Sequence, residues 1–194
     1  MIPLAFLACA PNVAPATLEA VIAVESGNTP LAVHVNELRD QPSPAHDARE
    51  ATQIAARYIA WGYSVDLGLM QVNSRNLGAL GVTIEQVLDP CTNIRSGATI
   101  LTGDYAEAVR SHGAGQPALQ AALSAYNTGD FYRGFANGYV ARYYGPNGVP
   151  ALAVGVHKAA ATVPTRRGSS SSASNPYTAD TNVFARELTN VRIQ

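Results

Sequence analysis

A carboxylate stands where a helix would ordinarily carry a hydrocarbon. In the stretch from Thr17 to Glu25, apolar residues recur at i, i+3 and i+4 as Leu18, Val21 and Ile22, and the i+7 position of that stripe is Glu25. Ser26-Gly27 follows as a helix stop. The spacing therefore predicts an inward carboxyl close to the negative end of the helix macrodipole, where burial and field both favour the protonated form. An acid that is still protonated near neutral pH can give its proton to an ether oxygen. Taken alone, a Glu at a helix end is more often turned to solvent.

Three further clusters combine amides, aromatic rings and turn-forming glycines. They are Gly68-Leu69-Met70-Gln71-Val72-Asn73, then Ala125-Tyr126-Asn127-Thr128-Gly129, then Asn137-Gly138-Tyr139-Val140. Amides bond hydroxyl and N-acetyl groups and aromatic faces cover sugar rings, so the set suits a polysaccharide; each cluster singly also reads as a capped helix end or a core tyrosine. The histidines, His34, His46, His112 and His157, show no ligand spacing, which argues against a metal. No cofactor motif is present, so the chemistry falls to carboxylates, amides and hydroxyls. Asp66, just before Gly68, could in principle supply a second carboxylate but reads more readily as a polar turn residue.

The elements that must position these groups are helical. Ser43-Pro44 reads as an N-cap with proline at the first turn, followed by Ala51, Ile54, Ala55 and Tyr58 at helical spacing until Gly62. Thr83-Ile84-Glu85-Gln86 is a capping box, and Asp89-Pro90 opens a long helix whose inward face is Ile94, Ala98, Leu101, Tyr105 and Val109. Another helix follows Pro117, with Leu119, Ala122, Leu123 and Tyr126 inward, and shorter ones are expected over Asn137–Tyr144 and Val149–Ala161. No segment shows a convincing two-residue period. The reading is a mainly α domain over residues 1–161, with Met1–Ala10 as a helical arm or, alternatively, a short export signal, followed by a Ser-rich linker and flexible tail over 162–194.

With 194 residues the chain suffices for one well-buried domain, and a net charge of −1 with 14% charged residues gives no basic surface for nucleic acid. No apolar run approaches the length that spans a bilayer. Cys9 and Cys91 are an even pair, far apart in the chain. In an oxidising compartment they would close a long loop; in a reducing one they would be two buried thiols.

Glu25-Ser26-Gly27, Gly68-Leu69-Met70-Gln71, Ala125-Tyr126-Asn127-Thr128-Gly129 and Tyr139-Val140 resemble, in order, the four signatures of the lytic transglycosylases with a goose-lysozyme-like fold. Asp89-Pro90-Cys91-Thr92-Asn93 and Asn137-Gly138-Tyr139-Val140 are similar to the branch associated with type IV secretion and conjugation machineries. The resemblance implies a lysozyme-like helical domain acting on peptidoglycan glycan strands in the periplasm, as a monomer that meets components of a secretion complex. It implies Glu25 as the acid and base, Ser26 as a neighbour bonded near it, and Met70, Gln71, Tyr126 and Asn127 along the glycan cleft. Tyr139 would lie beside the acid, and Cys9 and Cys91 would be bridged. The chain departs from the pattern at Thr29, where relatives commonly carry Asn, and in the longer stretch between Glu25 and Gly68, expected to shape one end of the cleft.

Ordinary glycoside hydrolysis uses two carboxyl groups, and the sequence shows one. The resemblance implies an intramolecular route, in which Glu25 protonates the linking oxygen and then takes the proton of the muramoyl C6 hydroxyl as it attacks C1. The product would be a 1,6-anhydromuramoyl end, formed without water. Two alternatives stand beside it: a hydrolytic muramidase with a second carboxylate across the cleft, and a peptidoglycan-binding scaffold that needs no acid.

Overall fold

Proline within the first turn opens three of the long helices, at positions whose missing N–H no helix would use. The computed structural model describes residues 4–145, and the expected helix Val149–Ala161 and the 162–194 tail lie outside them. Helix α1 spans Leu4–Leu7 and α2 Pro15–Ser26; strand β1 is Val33–Val35, α3 Ala48–Ala60, β2 Val65–Leu67 and β3 Val72–Asn73. A single 3-10 turn, Ser74–Asn76, leads into α4 (Leu77–Leu80), α5 (Ile84–Val87), α6 (Pro90–His112), α7 (Gln116–Thr128), α8 (Arg133–Ala136) and α9 (Ala141–Tyr144).

Helix α6 is the beam of the fold. Its inward face of Asn93, Ile94, Gly97, Ala98, Leu101, Tyr105 and Ala108 packs chiefly against α7, whose buried side is almost all alanine with Leu123 and Ser124. Small residues let the two backbones approach closely. Leu18, Val21 and Ile22 of α2 are fully buried in the same core, as are Ala51 and Ala55 of α3. The capping box at Thr83 and Gln86 is formed, and Asp89 caps α6 by accepting from the Thr92 N–H at 2.9 Å.

The helix expected over 137–144 is confined to Ala141–Tyr144, and two larger features differ from the sequence reading. Helix α3 begins later than Ser43-Pro44: Asp47 is its N-cap, accepting from the Glu50 N–H at 2.7 Å, while Glu50 accepts in return from the His46 N–H at 2.7 Å. The second difference is an antiparallel sheet in the order β1-β2-β3, which pairs His34 with Asp66 and Asp66 with Asn73. Its core face is Val35, Val65, Leu67 and Val72, and the alternate residues carry the polar groups of the site.

Cys9 and Cys91 form a disulfide with Cα atoms 5.3 Å apart, joining the segment after α1 to the start of α6 and closing a sequence separation of 82. Among the described residues no helix is long and apolar enough to cross a membrane.

Candidate active site

Glu25 is placed by the way α2 stops. Gly27 adopts φ +59° and returns its N–H to Ala23 O, an αL ending, and the following Asn28 N–H reaches Ile22 O at 3.5 Å. Ser26 Oγ donates to Ile22 O at 3.2 Å and accepts from the Thr29 N–H at 3.3 Å. Ser26 thus braces the turn behind Glu25, and Thr29 takes part in that brace through its backbone.

Burial raises the Glu25 carboxyl from an ordinary value of 4.5 to about 7. A hydrogen bond from Tyr139 and the charge of Arg142 oppose that rise, and the charge of Asp66 adds to it. The Tyr139 O–H donates to Glu25 Oε1 and lies 2.7 Å from the Tyr143 hydroxyl. Tyr139 has one proton to give, so Tyr143 donates to it, and the order is Tyr143 to Tyr139 to Glu25. Burial pushes both phenols far above the usual tyrosine range, which keeps them protonated as donors. Arg142 stacks over the Tyr139 ring at 5.7 Å and bonds the Val24 carbonyl, tying α9 to the end of α2.

Tyr139 is aimed by a relay of amides. Its N–H bonds Asn137 Oδ1 at 2.9 Å, and Asn137 Nδ2 bonds Asn127 Oδ1 at 3.2 Å, so the end of α7 orients the turn that carries Tyr139. Tyr126, one residue before Asn127, sends its hydroxyl to the Met70 carbonyl at 2.7 Å. Gly97 makes that contact possible: a Cβ there would fall 2.7 Å from Met70 Cβ and 2.9 Å from the Tyr126 hydroxyl.

An open cleft of about 730 Å³ receives Glu25, Gln71, Tyr126 and Asn127, within the usual size for a ligand site. Met70 is absent from its lining: the side chain is fully buried, and its carbonyl is what Tyr126 grips. The sequence expectation of a cleft-lining Met70 is therefore corrected to a supporting one, because the turn carries Met70 inward and Gln71 outward. Gln71 holds φ +46°, an uncommon backbone for a non-glycine residue that costs about 1 kcal/mol or more, and its Nε2 bonds Gly68 O at 2.9 Å.

Residues that sequence reasoning left without a role complete the site. Asn93 is 1% exposed and holds the Gly68–Gln71 turn from below, accepting from the Met70 N–H and donating to the carbonyls of Leu67 and Val87, each at 2.8 Å. Gly68, at φ +74°, leaves room for it, since a Cβ would sit 2.3 Å from Asn93 Nδ2. A polar residue within the buried helical stripe, beside Ile94, was the available signal.

Asp66 is no turn residue. It sits at the centre of β2 and lines the cleft, where Oδ1 accepts from Asn73 Nδ2 at 2.6 Å and Oδ2 from Asn36 Nδ2 at 2.9 Å. Burial raises its carboxyl, and those two amide bonds pull the other way. The cleft thus contains one carboxyl poised near neutrality and a second whose oxygens each accept an amide proton. Such a pair can give a proton and stabilise a positive charge that develops beside it.

The fold and this site fall within a known class: residues 4–143 match the family Transglycosylase SLT domain, to which the chain belongs. Among its relatives is "Protein virB1" of Agrobacterium fabrum, 46% identical over 132 residues, which cover 68% of this chain and 53% of that protein. Another is "Type IV secretion system protein virB1" of Brucella abortus, 42% identical over 138 residues, covering 70% and 58%. The chain spans about half the length of the curated relatives it matches. No solved structure matches it.

Proposed function

We propose that this protein cleaves the β-1,4 bond between N-acetylmuramic acid and N-acetylglucosamine in peptidoglycan, by non-hydrolytic transglycosylation with Glu25 as acid and base. The observation that carries the reading is a buried carboxyl at about 7, hydrogen-bonded by Tyr139 and facing an open cleft walled by amides and aromatic rings. Tyr139 occupies Oε1, so the proton delivered to the glycosidic oxygen comes from Oε2. As the C1–O bond breaks, positive charge grows at C1 and the Glu25 carboxylate forms. That carboxylate removes the proton of the muramoyl C6 hydroxyl while its oxygen bonds to C1. The ring closes as a 1,6-anhydro end, and Glu25 regains its proton without water.

One value near neutrality serves both halves, since it is neither too weak to protonate an ether nor too strong to be restored. The substrate's own hydroxyl acts as a positioned nucleophile. Asp66, as an anion, favours the proton on Glu25 and the charge at C1. The chain acts, in this reading, in the periplasm, opening the wall locally for a type IV secretion apparatus, a setting suggested by the names of its relatives. The 162–194 segment is dispensable for the chemistry itself, given its Ser-rich composition.

Asp66 favours one second reading, a hydrolytic muramidase, because it supplies a carboxylate in the same cleft to activate water. Mass analysis of muropeptides released from purified sacculi separates the two. Products one water lighter than those of a muramidase are expected, and fully hydrated reducing ends would refute the transglycosylase.

A further inference from the structure

The connection between α3 and β2 exposes an aromatic surface that the site described above does not use. Trp61 ends α3 with its N–H on the carbonyls of Arg57 and Tyr58, both at 3.1 Å. Gly62 turns at φ +91°, and the Tyr63 N–H returns to Tyr58 O at 3.0 Å, so the turn is closed by its own backbone bonds. The rings are set by edge-to-face contacts: Tyr58 meets Trp61 at 5.3 Å and Tyr63 at 5.9 Å, with interplanar angles of 81° and 78°. Despite this fixing, Trp61 is 64% exposed and Tyr63 37%. Both line the cleft that contains Glu25, and Gln71, Arg75 and Asn76 supply polar groups to the same cleft.

An indole held rigid, left in water and placed in a cleft wall has a vacant apolar face matched to a flat, C–H-bearing ligand. The polar groups nearby require that ligand to carry hydroxyl or amide edges. A pyranose ring with an N-acetyl substituent has both features. We propose that Trp61, with Tyr63 beside it, forms a sugar-stacking subsite that binds an N-acetylhexosamine ring of the glycan strand; this rests on the glycan reading given above. Trp61 is here a binding residue, remote in role from proton transfer. It holds the strand so that the scissile bond reaches Glu25.

Trp61 is the chain's sole tryptophan, so its emission reports on this position alone. The experiment uses the full chain carrying Glu25→Gln, which cannot consume its ligand, titrated with the N-acetylglucosamine tetramer by calorimetry and by tryptophan fluorescence. Saturable binding with a blue shift of the emission is expected, with the same midpoint in both measurements. Adding Trp61→Ala should weaken binding about tenfold by calorimetry, whereas Trp61→Phe should stay within about threefold, because a ring face is retained. Circular dichroism should be unaltered by either change, as the replaced side chain is largely exposed. Calorimetric binding with unshifted emission, or undiminished affinity in Trp61→Ala, would overturn the subsite and leave the glycan reading standing. No binding by any variant would refute both.

Discussion

Glu25→Gln should cost the protein its activity and raise its stability, the second effect growing with pH in a way that can be worked out beforehand. Burial holds the native carboxyl at about 7 against an ordinary 4.5. Between these values the native state keeps a proton that the unfolded chain has released, so stability falls as pH rises, by about 1.4 kcal/mol per pH unit. The whole window removes about 3 kcal/mol from the wild type, fully present below the lower value and fully lost above the upper one. Gln has no proton to lose and pays nothing over the same range. The variant's advantage over wild type should therefore be about 3 kcal/mol larger at about pH 8 than at about pH 4.5, or roughly 10 °C in Tm for a domain of this size. Asp104, whose carboxyl burial also raises, contributes equally to both proteins and cancels, whereas the coupling between Asp66 and Glu25 is part of the difference measured. Urea unfolding of both proteins across that range, disulfide intact, measures it, while turnover on sacculi should drop at least about a hundredfold. Stability curves that run parallel from acid to alkaline pH would show that Glu25 ionises normally and would refute the reasoning.

Tyr139→Phe removes a bond that lowers the Glu25 value, so the limb on which activity declines with rising pH should move to higher pH; an unmoved limb in the pH–rate profile would detach Tyr139 from the acid. Asn93→Ala strands the Met70 N–H and the carbonyls of Leu67 and Val87 in the core, for an expected loss of about 3–5 kcal/mol by urea unfolding, and a loss under about 1 kcal/mol would mean that the turn above it is held otherwise. Cys91→Ser opens a loop of 82 residues and should cost about 4 kcal/mol, matching wild type in strong reductant; equal stability of wild type with and without reductant would contradict this.

The inward carboxyl of Glu25 was legible because a four-position helical stripe is a local pattern: Leu18, Val21 and Ile22 are buried, and Glu25 continues their face. The capping box at Thr83 and the proline starts of α6 and α7 were legible for the same reason. The sheet was not, since strands of three, three and two residues are too short for alternation to declare itself. Missing the sheet meant missing Asp66, whose partners Asn36 and Asn73 lie 30 and 7 residues away and meet it only through strand pairing. Ser43-Pro44 misled because a serine before proline carries a helix-start signal without the acidic return; Asp47 and Glu50 had both. Met70 was expected in the cleft and Asn93 given no role, because facing inward or outward at a turn with φ +74° at Gly68 follows from tertiary packing.

The bond between Tyr139 and Glu25 joins residues 114 apart, and Arg142 reaches Val24 across 118. Contacts of such long range form late, when both ends of a chain have been made and brought together. Until then Glu25 is an ordinary hydrated carboxylate, ionised at neutral pH and with no proton to give. The same dependence operates in reverse: α9 has only four residues, but Tyr143 within it is fully buried, so lifting it from α2 would open the core as well as the site. The carboxyl is therefore shifted only in the finished fold, where burial raises it while Tyr139 and Arg142, arriving from far along the chain, hold that rise in check.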